Sequence, residues 1–123
     1  MATLLLADDD AIVRYAFALL LRSNGYHVLE APSNDAALAL AKENPDAIIT
    51  DVNMPGMTAL EILEELKKTN PDIGIIALSG GAMHQRPGLA ESFAETGAAN
   101  RVLQKPVRND VLLQEVEAVL SGD

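Results

Sequence analysis

The sequence predicts an α/β domain, a parallel sheet covered by helices on both faces. Short apolar runs of strand length alternate with longer stretches of helical spacing along all 123 residues. The runs at 3–7, 47–49 and 73–78 are almost wholly apolar, as strands buried on both faces are. No linker or repeat interrupts the alternation, so residues 1–123 read as one domain of five strands and five helices.

The elements follow in order. Residues 3–7 form a strand that runs into Asp8-Asp9-Asp10. Val13, Phe17, Leu20 and Leu21 recur at helical spacing, with Ile12, Ala16 and Leu19 widening the stripe. Asp10 can cap that helix and Asn24-Gly25 can stop it. Residues 26–31 are a second strand, and residues 34–44 an Ala-rich helix with Leu38, Leu40 and Ala41 inward, closed by Pro45. The central strand, Ala47-Ile48-Ile49 and onward, ends in Asp51 before the turn at Pro55-Gly56. Thr58 and Glu61 match a capping box, Leu60, Leu63 and Leu66 supply the stripe, and Asn70-Pro71 ends the helix. Residues 73–78 are the fourth strand, followed by Ser79-Gly80-Gly81 and a loop through residue 88. A weak helix over 89–96 stops at Gly97, residues 101–103 are the last strand, and Lys105-Pro106 follows. Leu112, Val116, Val119 and Leu120 mark a final helix, capped by Asn109 or Asp110.

Composition narrows the function. The chain is 49% apolar with only Tyr15, Phe17, Tyr26 and Phe93 aromatic, so the core is aliphatic. It has no cysteine, hence no disulfide framework and no thiolate chemistry. A net charge of -9 with scattered basic residues argues against a nucleic-acid surface. No apolar run approaches the ~20 residues of a membrane span, and the N-terminus lacks the basic region of a signal peptide. A cytoplasmic location is the expectation.

Chemistry enters at the strand ends. Asp8-Asp9-Asp10 follows the first strand, Asp51 the third, Ser79 the fourth and Lys105 the fifth. In a parallel sheet these ends gather on one edge, where open α/β sheets bind ligands. Crowded carboxylates repel unless a cation joins them. Oxygen ligands without nearby His or Cys favour Mg²⁺. A hydroxyl and an ammonium facing the same spot suit a transferred phosphoryl group, and an Asp carboxylate can accept one. Each member alone has a plainer reading: helix-capping acids, a turn serine, a surface lysine. Together they point to one site.

Leu-Leu-Leu-Ala-Asp-Asp, Ile-Ile-Thr-Asp-Val-Asn-Met-Pro-Gly-Met, Ala-Leu-Ser-Gly and Gln-Lys-Pro resemble the response-regulator receiver domains of two-component signalling over essentially the whole chain. The resemblance implies a flavodoxin-like (βα)5 fold, doubly wound, with strand order 2-1-3-4-5. It implies Asp51 as phosphoacceptor, and Asp8, Asp9, Asp51 and the backbone carbonyl of Asn53 as Mg²⁺ ligands. It makes Ser79 the switch hydroxyl, Lys105 the phosphoryl-binding cation and Lys105-Pro106 a cis peptide. A sensor histidine kinase or a histidine phosphotransfer protein is the implied donor. The chain would catalyse only its own phosphorylation and slow dephosphorylation. A single-domain receiver is expected, the alternative being a receiver from a longer regulator with a separate output domain.

Two departures stand out. Thr58-Ala59 replaces the common Asp-Gly, and Val102 stands where the family's switch aromatic usually sits. The switch is therefore expected to act through residues 80–96, with a minor response at 101–103, within a surface that also takes in the last strand and final helix. His27 and His84 have no metal spacing between them. A Mg²⁺-dependent phosphatase of the haloacid-dehalogenase type also uses Asp-x-Asp after a strand, but the acidic pair it needs beyond its lysine is missing. A flavodoxin-like cofactor module would need a phosphate loop where three acids stand.

Overall fold

The computed structural model describes residues 2–52, 59–79 and 99–122. Five strands form one parallel sheet: β1 (Thr3–Ala7), β2 (His27–Ala31), β3 (Ala47–Asp51), β4 (Gly74–Ser79) and β5 (Arg101–Gln104), in the order β2-β1-β3-β4-β5. Four α-helices lie among the described residues: α1 (Ala11–Ser23), α2 (Asn34–Leu40), α3 (Ala59–Thr69) and α4 (Asn109–Leu120). The expected helix over 89–96, the loop before it, the Pro55-Gly56 turn and the Thr58 cap lie outside the described residues.

Strand periodicity divides the core. Leu4, Leu6, Ala47, Ile49, Ile76 and Leu78 pack on one side with Phe17, Ala18 and Leu21 of α1 and Leu112, Val116 and Val119 of α4. Leu5, Ala7, Ile48, Ile75 and Ala77 pack on the other with Ala37 of α2 and Ile62, Leu63 and Leu66 of α3. Successive side chains point to opposite faces of a strand, and helices cover both, so β1, β3 and β4 carry no polar alternation.

The helix ends follow local chemistry. Asp10 caps α1 by accepting the amides of Ile12 and Val13, and Gly25 leaves the helix at φ 91°. Three details differ from expectation. Ile12 and Leu19 are 82% and 51% exposed and Ala16 is exposed, while Ala18 is buried. The inward stripe of α1 is thus narrower than its apolar content. The Ala-rich helix ends at Leu40 and closes through a 3-10 turn (Ala41–Glu43), with Asn44 left-handed at φ 54°. Leu38, Leu40 and Ala41 pack against the core as expected, half-buried, while Asn34 and Ala37 are the fully buried residues of the helix. The cap of α4 falls at Arg108, whose side chain makes no capping bond and pairs with Asp110 instead.

Candidate functional site

Three side chains converge because each continues the alternation of its strand. Asp8 lies two residues beyond Leu6, Asp51 two beyond Ile49, and Lys105 two beyond Leu103; all three predecessors pack on the α1/α4 side. The register sets Asp51 opposite Leu78 and Ser79 opposite Gln104, so β3, β4 and β5 end nearly level. The Lys105 amide donates to the Ser79 carbonyl at 2.9 Å, and the Lys105-Pro106 peptide is cis, as expected.

The Lys105 ammonium donates to Asp8 Oδ2 at 2.7 Å and to Asp51 Oδ2 at 2.9 Å. Asp8 is fully buried and Asp51 5% exposed, whereas Asp9 is exposed. One carboxylate oxygen from each of Asp8, Asp9 and Asp51 lies within 4.8 Å of the other two. Two like charges at that separation repel by ~3 kcal/mol in a protein-like dielectric. Lys105 offsets part of that repulsion. Burial works to lower the Lys105 pKa, but the bonds and charges of Asp8 and Asp51 outweigh it and hold the ammonium above the usual lysine value. Burial pushes the Asp8 carboxyl above its ordinary range; the Lys105 bond and the Asp10 amide pull back without cancelling it, and the Asp51 charge adds to the rise. The two shifts pull apart on one ion pair: the lysine is content, the acid is not. The excess negative charge of the three acids suits a second cation.

Asp8 is held at every polar atom. Its amide donates to Ala31 O, its carbonyl accepts from Arg14 at 2.7 Å, Oδ1 accepts the Asp10 amide at 2.9 Å and Oδ2 takes Lys105. Arg14 had no signal in the sequence, since a single arginine on a helix reads as solvated. Ser79 is buried at the end of β4. Asn53 and His84 lie outside the described residues; His27 is exposed on β2, away from the three acids. Beside Lys105 runs an apolar groove of about 460 Å³, lined by Ile12, Val13, Ala16, Phe17, Pro106 and Val107.

With that geometry in place, comparison with known proteins is decisive. The response regulator receiver domain family matches residues 4–117. The chain belongs to that family. As a receiver domain it is 35% identical to Response regulator MprA of Mycolicibacterium vanbaalenii over 119 residues, 95% of this chain and 49% of that protein. It is 29% identical to Protein PilH of Pseudomonas aeruginosa over 123 residues, covering 99% of this chain and all of PilH. A crystal structure of a receiver domain protein from Clostridium thermocellum superposes with a TM-score of 0.86 at 29% identity, over 99% of this chain and 96% of that one. The receiver thus spans about half the length of MprA and the whole of PilH. The five-stranded order β2-β1-β3-β4-β5 is the expected one. Among the described residues no helix is long and apolar enough to cross a membrane.

Proposed function

We propose that Asp51 accepts a phosphoryl group from a phosphohistidine, borne by a sensor histidine kinase or a histidine phosphotransfer protein, and that the surface beyond β4 changes in response. The observation that carries this is the Lys105 ammonium bridging Asp8 and Asp51, with Asp9 completing a three-carboxylate cluster. In the transfer an Asp51 oxygen attacks phosphorus, the P–N bond to the imidazole breaks, and an acyl phosphate forms. The Lys105 ammonium, already on Oδ2, is placed to follow the charge onto the phosphoryl oxygens, and the Ser79 hydroxyl to donate to one of them.

The donor set fits Mg²⁺: oxygen ligands, no His or Cys, and excess negative charge. Asp8, Asp9, Asp51 and the Asn53 carbonyl would hold it, and it would neutralise charge on the phosphoryl oxygens. The groove beside Lys105 offers a donor protein an apolar surface bordering the acceptor. The chain turns over no separate substrate.

With Mg²⁺ and acetyl phosphate the protein is expected to gain one acid-stable, base-labile phosphoryl group, and EDTA to prevent it. Asp51→Asn should abolish labelling, since an amide is a far poorer nucleophile. Equal labelling of that variant would remove Asp51 from the role. Asp9→Ala should weaken Mg²⁺ binding measured by calorimetry. The switch reading is tested by amide exchange with and without beryllofluoride. Val102 is half-buried against the α2/α3-side core, with no ring to swing. The largest change is therefore expected over 80–96 and a minor one at 101–103; the reverse would refute it.

A further inference from the structure

Asp9 is the exposed member of the three-acid cluster, so packing does little to aim its carboxylate. The Cα from which it reaches the other two acids is placed by the peptide that joins it to Asp8. That peptide is planar, so anchoring its oxygen fixes the position of the Asp9 nitrogen and Cα as well. The anchor is Arg14, three residues into the α1 helix, whose guanidinium donates to the Asp8 carbonyl at 2.7 Å. The guanidinium is itself aimed from the second strand: Arg14 Nε lies 3.4 Å from Glu30 Oε1. Glu30 is in turn held by Arg22, at 3.1 Å from its other oxygen, and Arg22 also donates to Val28 O at 2.9 Å.

We propose that Arg14, aimed by Glu30, is a positioning residue for the cation site: it holds the Asp8–Asp9 peptide and so the point from which the Asp9 carboxylate reaches the cation. The inference rests on reading Asp8, Asp9 and Asp51 as the acids that hold Mg²⁺. Glu30 lies on β2, the edge strand, and takes no part in the cluster. Its influence is relayed through a half-buried chain, with Arg14 and Glu30 side chains 18% and 29% exposed. Groups that orient metal ligands from behind commonly change metal affinity by ~10-fold or more when removed.

Positioning and plain charge predict opposite signs. Arg14→Met keeps the apolar stem but takes a positive charge away from three carboxylates. Coulomb's law alone then makes Mg²⁺ bind more tightly, and less so as salt screens the effect. Loss of an anchor makes Mg²⁺ bind more weakly at any salt.

Calorimetric Mg²⁺ titration of the full chain, at low and high ionic strength, decides between them. Arg14→Met is expected to weaken binding about 10-fold at both, and Arg14→Lys, which keeps the charge and one donor, to fall between. A denaturant titration run alongside separates this from a merely structural brace, which would lower stability and leave the folded protein's Mg²⁺ affinity at the wild-type value. Unchanged or tighter binding by Arg14→Met overturns the proposal. If that variant does not fold, Glu30→Ala decides: about 3-fold weaker binding persisting at high salt supports the proposal, and wild-type affinity there overturns it. Wild-type protein and Asp9→Ala serve as controls. If they bind Mg²⁺ alike, the metal reading fails; if they differ but Arg14→Met matches wild type, only the positioning role falls.

Discussion

The two edges of the sheet both carry aspartates, and they use them differently. At the C-terminal edge Asp8 and Asp51 are buried against one lysine, with Asp9 alongside. At the N-terminal edge Asp46 and Asp72 are exposed and help line a cleft of about 650 Å³, roomier than the groove beside Lys105. Asp46 serves as a stitch: Oδ2 accepts the Thr3 amide at 2.8 Å, its own amide donates to Thr3 O at 2.8 Å, and its carbonyl accepts from Gly74. Its partners are neutral amides at the start of β1 and β4, and water reaches the carboxylate. A cleft with acids is therefore no sign of function by itself. What separates the edges is that one forces like charges together out of water, an arrangement that resists folding unless a cation is part of it.

That contrast can be broken by mutation. Lys105→Met should cost the most, about 3 kcal/mol in EDTA, because two buried acids lose their shared partner. Chemical denaturation measures it, and added Mg²⁺ should restore part of the loss. A variant as stable as wild type would show that Lys105 does not neutralise the cluster. At the other edge, Gly74→Ala places a Cβ 3.0 Å from Val119 Cβ and 3.1 Å from its Cγ2, so Val119 must give by a few tenths of an ångström. A loss of about 2 kcal/mol is expected from overpacking, with Asp51 labelling by acetyl phosphate retained. Asp46→Ala should cost about 1 kcal/mol, the worth of an exposed backbone cap, also without affecting labelling. If Asp46→Ala abolished labelling, the two edges would not be independent.

The smallest effect is in pH. Lys105 has its folded pKa raised above 10.5, so its contribution is complete below that pH and is lost as pH rises through the folded value. In EDTA the stability gap between wild type and Lys105→Met should therefore narrow above pH 10.5. Asp8 is raised above 3.8 in the folded state, so it too contributes stability only on the acid side, lost as pH climbs from there through its folded pKa. Asp8→Asn should flatten that acid limb in denaturant midpoints measured across the same range.

A different kind of pair sharpens the comparison further. Ile12, 82% exposed on α1, lines the groove next to Lys105. Ile12→Lys should slow transfer from a phosphohistidine protein several-fold while leaving labelling by acetyl phosphate unchanged, since only the protein donor needs the surface. Equal slowing with both donors would place Ile12 in the chemistry instead.

Sequence alone determined the strands, nearly to the residue, most plainly β1, β3 and β4, because strands buried on both faces need short apolar runs and these have few other uses. It determined the edge on which Asp8, Asp9, Asp51, Ser79 and Lys105 meet, because parallel strands bring all their C-terminal ends to one side. The cap at Asp10 and the stop at Asn24-Gly25 were equally legible, being written within a few residues of where they act. Tertiary structure decided the rest. Helical spacing could not tell Ala18, which is buried, from Ile12 and Leu19, which are not, since the width of the inward stripe depends on how closely the sheet lets α1 approach. Nor could spacing place Arg14 on the Asp8 carbonyl with Glu30 behind it, or Lys105 between acids 97 and 54 residues away. Local pattern records which groups a chain can bring to one edge; which atoms pair there depends on distances set only when strands and helices have packed.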